Sequence, residues 1–258
     1  YVPASVAIDG ENTIYVALGD QSVRLTAVVT PSTASQDVTW SVSNTRYAKV
    51  SLEGYITPVR EGTVTVTAKT ANRKTDKVTV VVYDPLKPVY VTMSATGTAD
   101  LALTDTLQLS AEVFPSTADA SLSALTWSSS STRYATVDND GLVTPKKVGT
   151  VTIKASTRTG KYSTVKVRIY DPRIPMKVTL DHTGTEKLDL YDPDFTVTPE
   201  VYPLTAADDT TFLYSSSRTS VAVVNAEGLV SLRGPGTATI TVRTKNPYTK
   251  GNVSASFK

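Results

Sequence analysis

The chain repeats itself at a fixed interval. Trp40, Trp127 and Tyr214 stand 87 residues apart, as do Gly54, Gly141 and Gly228, and again Gly62, Gly149 and Gly236. Three such intervals nearly fill the 258 residues. Solenoid repeats run to roughly 20–50 residues, so a longer period leaves each copy room for a core of its own, and the chain reads as tandem domains. The seams fall on the same beat. Tyr83-Asp84-Pro85 and Tyr170-Asp171-Pro172 are also 87 apart, and each precedes a second proline, Pro88 or Pro175. Proline donates nothing to a sheet and biases its predecessor to extended backbone, so these junctions are expected to be short and fairly stiff. The expected domains are 1–84, 85–171 and 172–258.

Within each copy the apolar residues alternate, and helical spacing is hard to find. Val23, Leu25, Ala27 and Val29 open the first copy, Leu107, Leu109, Ala111 and Val113 the second, and Phe195, Val197, Pro199 and Val201 the third. A later strand carries Val64, Val66 and Ala68, repeated as Val151, Ile153, Ala155 and as Ala238, Ile240, Val242. A last strand offers Val78, Val80, Val82, then Val165, Val167, Ile169, then Val253, Ala255, Phe257. Threonines and lysines between them imply sheets with one buried face. Trp40 and Trp127 supply the largest apolar area of their cores. The turns Ser51-Leu52-Glu53-Gly54, Asp138-Asn139-Asp140-Gly141 and Asn225-Ala226-Glu227-Gly228 share a glycine suited to positive φ and a polar residue three places earlier that can bond the turn backbone. Gly62, Gly149 and Gly236 mark a second turn. About seven short strands per copy indicate an all-β fold, three tandem immunoglobulin-like β-sandwich domains.

The phrases "VTWSVSNTRYAKV…EGYITPVREGTVTVTA" and "LTWSSSSTRYATVDNDGLVTPKKVGTVTIKA" resemble the bacterial Ig-like domain group 2 pattern, W-S-S-S, A-x-V, G-x-V and G-x-x-x-I/V-T. All three copies match; the third departs, with Tyr214 for tryptophan and an altered opening, "LYDPDFTVTPEVYP". The resemblance implies Ig-like sandwiches of bacterial and phage surface proteins, including intimin- and invasin-like adhesins. It implies an extracellular, cell-surface stalk or adhesion region. It implies no ligand, because fold does not fix function.

Composition sets the outer bounds. Lys and Arg exceed Asp and Glu by a formal +2, too little to draw the chain to nucleic acid or an acidic membrane. There is no cysteine, hence no disulfide or thiolate site. No apolar run reaches the roughly 20 residues that span a bilayer, so no membrane insertion is expected within this segment. A start at Tyr1, with neither methionine nor a secretory signal, is read as a processed or excised form.

The candidate sites are few. His182 is the only histidine and no G-x-S-x-G accompanies it, so it is read as an exposed loop residue. The acidic turn Asp138–Gly141 lacks the spaced oxygens of a calcium loop, and Asp84 and Asp171 have no second carboxylate close by. No catalytic residue, cofactor or metal site is therefore expected. Basic late loops, above all Arg73/Lys74 and Arg158/Lys161, could meet an acidic glycan or cell-wall polymer, and Tyr90, Tyr191, Tyr202 and Tyr248 could stack on sugar rings. The plainer readings are edge lysines that discourage sheet pairing and tyrosines that pack at domain ends. Tyr47 and Tyr134 share a repeat position that Val221 takes in the third copy, which reads as packing. The expected function is a non-enzymatic surface module, monomeric, whose partners are other domains of the same polypeptide. The alternative is a carbohydrate- or receptor-binding module with a host receptor or glycan as partner.

Overall fold

The structure, a computed structural model, describes residues 2–249 and 251–258. The first copy forms β1 (Ser5–Ile8), β2 (Thr13–Ala17), β3 (Val23–Arg24), β4 (Ala27–Thr30), β5 (Thr39–Val42), β6 (Ala48–Val50), β7 (Tyr55–Pro58), β8 (Gly62–Lys69) and β9 (Thr75–Tyr83). The second forms β10 (Tyr90–Met93), β11 (Thr98–Ala102), β12 (Leu107–Gln108), β13 (Ala111–Phe114), β14 (Leu125–Ser129), β15 (Ala135–Val137), β16 (Leu142–Pro145), β17 (Gly149–Thr157) and β18 (Tyr162–Tyr170). The third forms β19 (Lys177–Leu180), β20 (Phe195–Thr196), β21 (Pro199–Tyr202), β22 (Thr211–Ser216), β23 (Ala222–Val224), β24 (Leu229–Leu232), β25 (Ile240–Lys245) and β26 (Ser254–Phe257). One helical turn, Ala120–Ser123, and a 3-10 turn, Leu204–Ala206, interrupt them. The fold is that of tandem Ig-like β-sandwiches. By compactness the chain resolves into two units: Tyr1–Ser94 with Ser110–Trp127 and Lys154–Thr164, and Ala95–Leu109 with Ser128–Ile153 and Val165–Lys258.

In the first unit, the sheet β2-β9-β8-β5 faces the sheet β3-β7-β6, with β1 and β4 paired beside them. Alternation decides which face is buried. Val64, Val66 and Ala68 of β8 and Val78, Val80 and Val82 of β9 are buried, while Thr63, Thr65 and Thr67 point away. All but Ala68, which joins Val6, Val29 and Ala34, make one core with Val16, Leu25, Ala48 and Ile56, and Trp40 and Tyr47 pack half-buried against it. Each fully buried Val or Ile is worth about 1.5–3 kcal/mol relative to exposure, so this stripe of branched residues is the main stabilising element. The run from Val23 to Val29 does not form one strand as its alternation implies. It breaks after Arg24, so that β3 pairs with β7 and β4 with β1, and Val23 is left exposed while Leu25 and Val29 are buried. In the second copy β10 pairs with β13 in this unit.

In the second unit, β11 runs parallel to β18, and β12-β16-β15 form a sheet. The third copy is built from β19-β21, β20-β24-β23 and β22-β25-β26. Its core gathers Val197, Ala222, Val230, Ile240, Val242 and Phe257, with a smaller cluster at Val178, Val201 and Ala206. Among the described residues no strand lies between β19 and β20, where the first two copies place β2 and β11. The intervening Asp181–Asp194 holds four aspartates with Gly184 and Pro193, and its Leu188 and Leu190 remain exposed.

The periodic glycines have a steric cause. Gly54 adopts φ +85°, and a Cβ there would meet the Leu25 carbonyl oxygen at 2.7 Å and the Trp40 ring at 3.0 Å. Gly228 repeats this with φ +84°, the Val197 carbonyl at 2.7 Å and the Tyr214 ring at 3.0 Å. Gly62 and Gly149 lie under the rings of Tyr47 and Tyr134, and Gly236 under the smaller Val221. The tyrosine-to-valine exchange is thus a packing exchange.

Candidate functional site

The most elaborate polar construction lies at the two seams. After β9 the chain turns at Asp84, whose carboxylate accepts from Leu86 N at 3.0 Å and whose carbonyl accepts from Lys87 N at 3.0 Å. Lys87 Nζ donates to Glu61 Oε1 at 2.6 Å and lies 3.3 Å from Asp84 Oδ2. Thr117 Oγ1 donates to the Pro85 carbonyl at 2.7 Å, and Asp119 N to the Leu86 carbonyl at 2.9 Å. Four rings close the apolar side: Tyr90 stacks on Phe114 at 4.8 Å, and Tyr15 and Tyr83 meet Phe114 at 5.5 and 5.3 Å. Burial, helped by Asp20 and Tyr90, raises the Tyr83 phenol above its ordinary value. The backbone bond from Leu86, with Lys87 beside it, holds the Asp84 carboxyl below the usual range.

The second seam repeats the plan with a different cation. Asp171 accepts from Arg173 N at 3.0 Å and from its guanidinium at 3.0 and 2.7 Å. That guanidinium bond, reinforced by the backbone N–H, lowers the Asp171 carboxyl. Thr205 Oγ1 donates to the Pro172 carbonyl at 2.7 Å. Asn246, buried, donates to the Arg173 carbonyl at 2.8 Å, and Arg173 lies over the Tyr248 ring at 4.3 Å. Both seam aspartates are thus committed to turn backbone and to Lys87 or Arg173.

The other candidates sit as follows. Asp138 Oδ1 accepts from Asp140 N at 3.0 Å and Leu142 N at 2.8 Å, and Asn225 and Ser51 do the same service in their copies. The acidic turn therefore spends its first carboxylate on backbone. Among the described residues no group of three or more His, Asp or Glu is gathered as a metal would need. His182 is not the exposed loop residue its surroundings imply. It is half-buried between Phe195 at 4.8 Å and Phe257 at 5.3 Å, with Nδ1 3.0 Å from Glu186. Without a strand between β19 and β20, the loop folds back over the core edge and carries His182 with it.

Arg73 and Lys74 occupy the β8–β9 loop, Arg158 and Lys161 the β17–β18 loop, and none of the four forms an ion pair among the described residues. What shapes these loops is a residue the sequence reading passed over. Thr70 is buried and accepts from Lys74 N at 3.0 Å; Thr157 accepts from Lys161 N at 3.2 Å, and Thr244 from Val253 N at 3.0 Å. The three threonines lie 87 residues apart, so the period itself was the signal. Of the candidate tyrosines, Tyr90 is engaged at the first seam and Tyr248 under Arg173, Tyr202 lies 6.5 Å from Tyr170, and Tyr191 is 94% exposed.

Comparison with known proteins agrees with this architecture. The family model for the bacterial Ig-like domain (group 2) matches residues 4–82 and 90–167, and that for the intimin immunoglobulin-like domain matches 204–245. An α-L-arabinofuranosidase of Bifidobacterium longum is 33% identical over 145 residues, 54% of this chain and 13% of that protein. An uncharacterised protein of Clostridium acetobutylicum is 31% identical over 180 residues, 64% of this chain and 18% of that protein. The chain thus spans under a fifth of these relatives' length. Among solved structures, domains 1–6 of the surface layer protein SbsC superpose with TM-score 0.34 and 19% identity, covering 100% of this chain and 40% of that one. With its family models falling on the same copies that the 87-residue period marks out, the chain belongs to the bacterial Ig-like domain (group 2) family.

Proposed function

We propose that the chain is a non-enzymatic cell-surface module, a stalk, spacer or adhesion region of a larger extracellular protein. Its working partners are then other domains of that polypeptide, and the segment itself acts as a monomer. The domain boundaries that go with this reading are 1–84, 85–171 and 172–258. One observation carries it: side chains of consecutive copies meet at both seams, Lys87 with Glu61 and Phe114 with Tyr83 at the first, Arg173 with Asp171 at the second. A linker bound in this way limits hinge motion, which suits a spacer. The small share of the B. longum and C. acetobutylicum relatives that the chain covers also fits an accessory part. The test is a display series, in which an epitope is carried beyond one, two or three copies on a bacterial surface. Antibody access through the surface polymer layer should rise with each copy, and access independent of copy number would overturn the reading.

The second reading is a glycan- or receptor-binding module. The absence of ion-pair partners for Arg73, Lys74, Arg158 and Lys161 among the described residues favours it, as does the exposed Tyr191. A screen against acidic glycans and cell-wall polymers should then find saturable binding that a fourfold alanine variant of these residues abolishes.

A further inference from the structure

In the first copy, the second strand that the chain forms and the strand by which it leaves are neighbours, and they run parallel; the entering strand, β1, pairs antiparallel with β4 instead. β2 pairs with β9 in the register Thr13↔Thr79 to Ala17↔Tyr83. Backbone bonds bracket the ladder, Thr79 N to the Asn12 carbonyl at 2.9 Å and Leu18 N to the Tyr83 carbonyl at 2.8 Å. The second copy repeats the arrangement between β11 and β18, Thr98↔Lys166 to Ala102↔Tyr170, bracketed by Lys166 N to Gly97 O at 3.1 Å and Leu103 N to Tyr170 O at 2.8 Å.

Force that enters through β1 or β10 first meets a short antiparallel pair and then the parallel pairing of β2 or β11 with the last strand of the copy, which fixes how tension acts. The chain reaches β2 at Thr13 and leaves β9 at Tyr83, which are opposite ends of one ladder. Pulling the copy by its ends therefore slides the two strands along their own axes in opposite senses. All the ladder's bonds share the load at once, whereas a hairpin pulled at its open end gives them up singly. Sliding is further opposed by the pleat. A slip of one residue would turn Val16 from the core face to solvent and bring Tyr15 inward, so the first permitted slip is two residues, roughly 6.6 Å. Side chains add further staples. Arg168 of β18 grips Asp100 of β11 with bonds of 2.7 and 2.6 Å, and in the first copy Asp76 of β9 accepts from Ile8 N of the preceding strand β1 at 2.7 Å.

We propose that the first two copies are tension-bearing elements, each closed by a parallel clamp that end-to-end force loads in shear. The inference goes beyond the display reading, since it holds whichever larger protein carries the chain and whether or not these copies bind a glycan. The third copy supplies an internal contrast, for its described strands pair only antiparallel.

Resistance to forced unfolding is set by the unfolding rate, so it must be read by pulling and not by melting. The chain contains no cysteine, so handles can be placed at will. In the intact chain, the pair Glu11→Cys and Leu86→Cys loads the first clamp in shear, while Gln21→Cys with Leu86→Cys grips both strands at the same end and peels them. Glu11, Gln21 and Leu86 are exposed. Single-molecule stretching should show the first pair yielding at several-fold higher force than the second, and equal forces would overturn the proposal. The unsubstituted sequence, pulled from its two ends, gives an independent reading. Two strong events should each release roughly 225–235 Å, the extended length of Thr13–Tyr83 or Thr98–Tyr170 at ~3.4 Å per residue less the roughly 15 Å that already separates those ends across the folded ladder, alongside weaker unfolding of the third copy. A single class of weak events would overturn it.

Discussion

Replacing Gly54 by alanine tests the steric reading of the period directly. Two costs combine. A left-handed backbone disfavours any L side chain by about 1–2 kcal/mol. The added methyl would also stand 2.7 Å from the Leu25 carbonyl oxygen and 3.0 Å from Trp40. The Leu25 peptide is held against the turn by its own N–H bond to the Gly54 carbonyl at 2.9 Å, so the second cost resembles overpacking, about 1–3 kcal/mol. The expected loss for Gly54→Ala is therefore about 2–5 kcal/mol. Gly10→Ala is the control, because it shares the positive φ, +103°, but its new methyl meets nothing within 4 Å. It should lose only the backbone share, about 1–2 kcal/mol. The assay is urea unfolding followed by Trp40 fluorescence in a Trp127→Tyr background, the exchange that the third copy makes naturally at Tyr214. With a slope of about 1–3 kcal/mol per molar urea, the two variants should differ in midpoint by roughly 1 M. Equal midpoints for Gly54→Ala and Gly10→Ala would refute the claim that close approach to the aromatic anchor dictates the glycine.

Other consequences can be checked at the seams and hairpins. Asp171→Asn should cost up to about 1 kcal/mol at neutral pH, since Arg173 is half exposed. Because the folded carboxyl is lowered, its contribution is present above the ordinary Asp value and fades as pH falls through the folded value, so wild type and variant should converge in melts taken near pH 2. The Tyr83 phenol, raised by burial, should titrate above its ordinary value in ultraviolet spectra, and its share of stability should disappear as pH rises through that folded value. Phe114→Ala, which removes the ring at the middle of the aromatic cluster, should lower unfolding free energy by about 2–3 kcal/mol and return Tyr83 toward ordinary titration. Thr244→Val keeps the shape but strips the hydroxyl that bonds Val253, and should cost about 1 kcal/mol in denaturant melts.

The legible parts of the fold were those governed by local pattern. Val78, Val80 and Val82 alternate and are buried as alternation demands, and Ser51, Asp138 and Asn225 bond their turns as short polar side chains do. What stayed hidden depends on distant partners. β2 reads as an unremarkable five residues, TIYVA, and nothing in them announces a parallel neighbour some 66 positions away. The break after Arg24 arises because one run serves two sheets, which alternation alone does not reveal. His182 was misread because its burial comes from two phenylalanines that are remote in sequence. The prolines mark the expected seams in the sequence, but the hydroxyl bonds to their carbonyls were not foreseen, since Thr117 and Thr205 lie some 30 residues downstream of the carbonyls they bond.

The two seams have a consequence for how such a chain can change length. Each joins the Tyr-Asp pair that ends one copy to the proline, and the threonine hydroxyl bonded to its carbonyl, that belong to the next. The joint is therefore a standard coupling, carried half by the copy before and half by the copy after. Unequal recombination that duplicates or drops one whole period recreates the same coupling, so an array of this kind can grow or shrink without inventing a new connection.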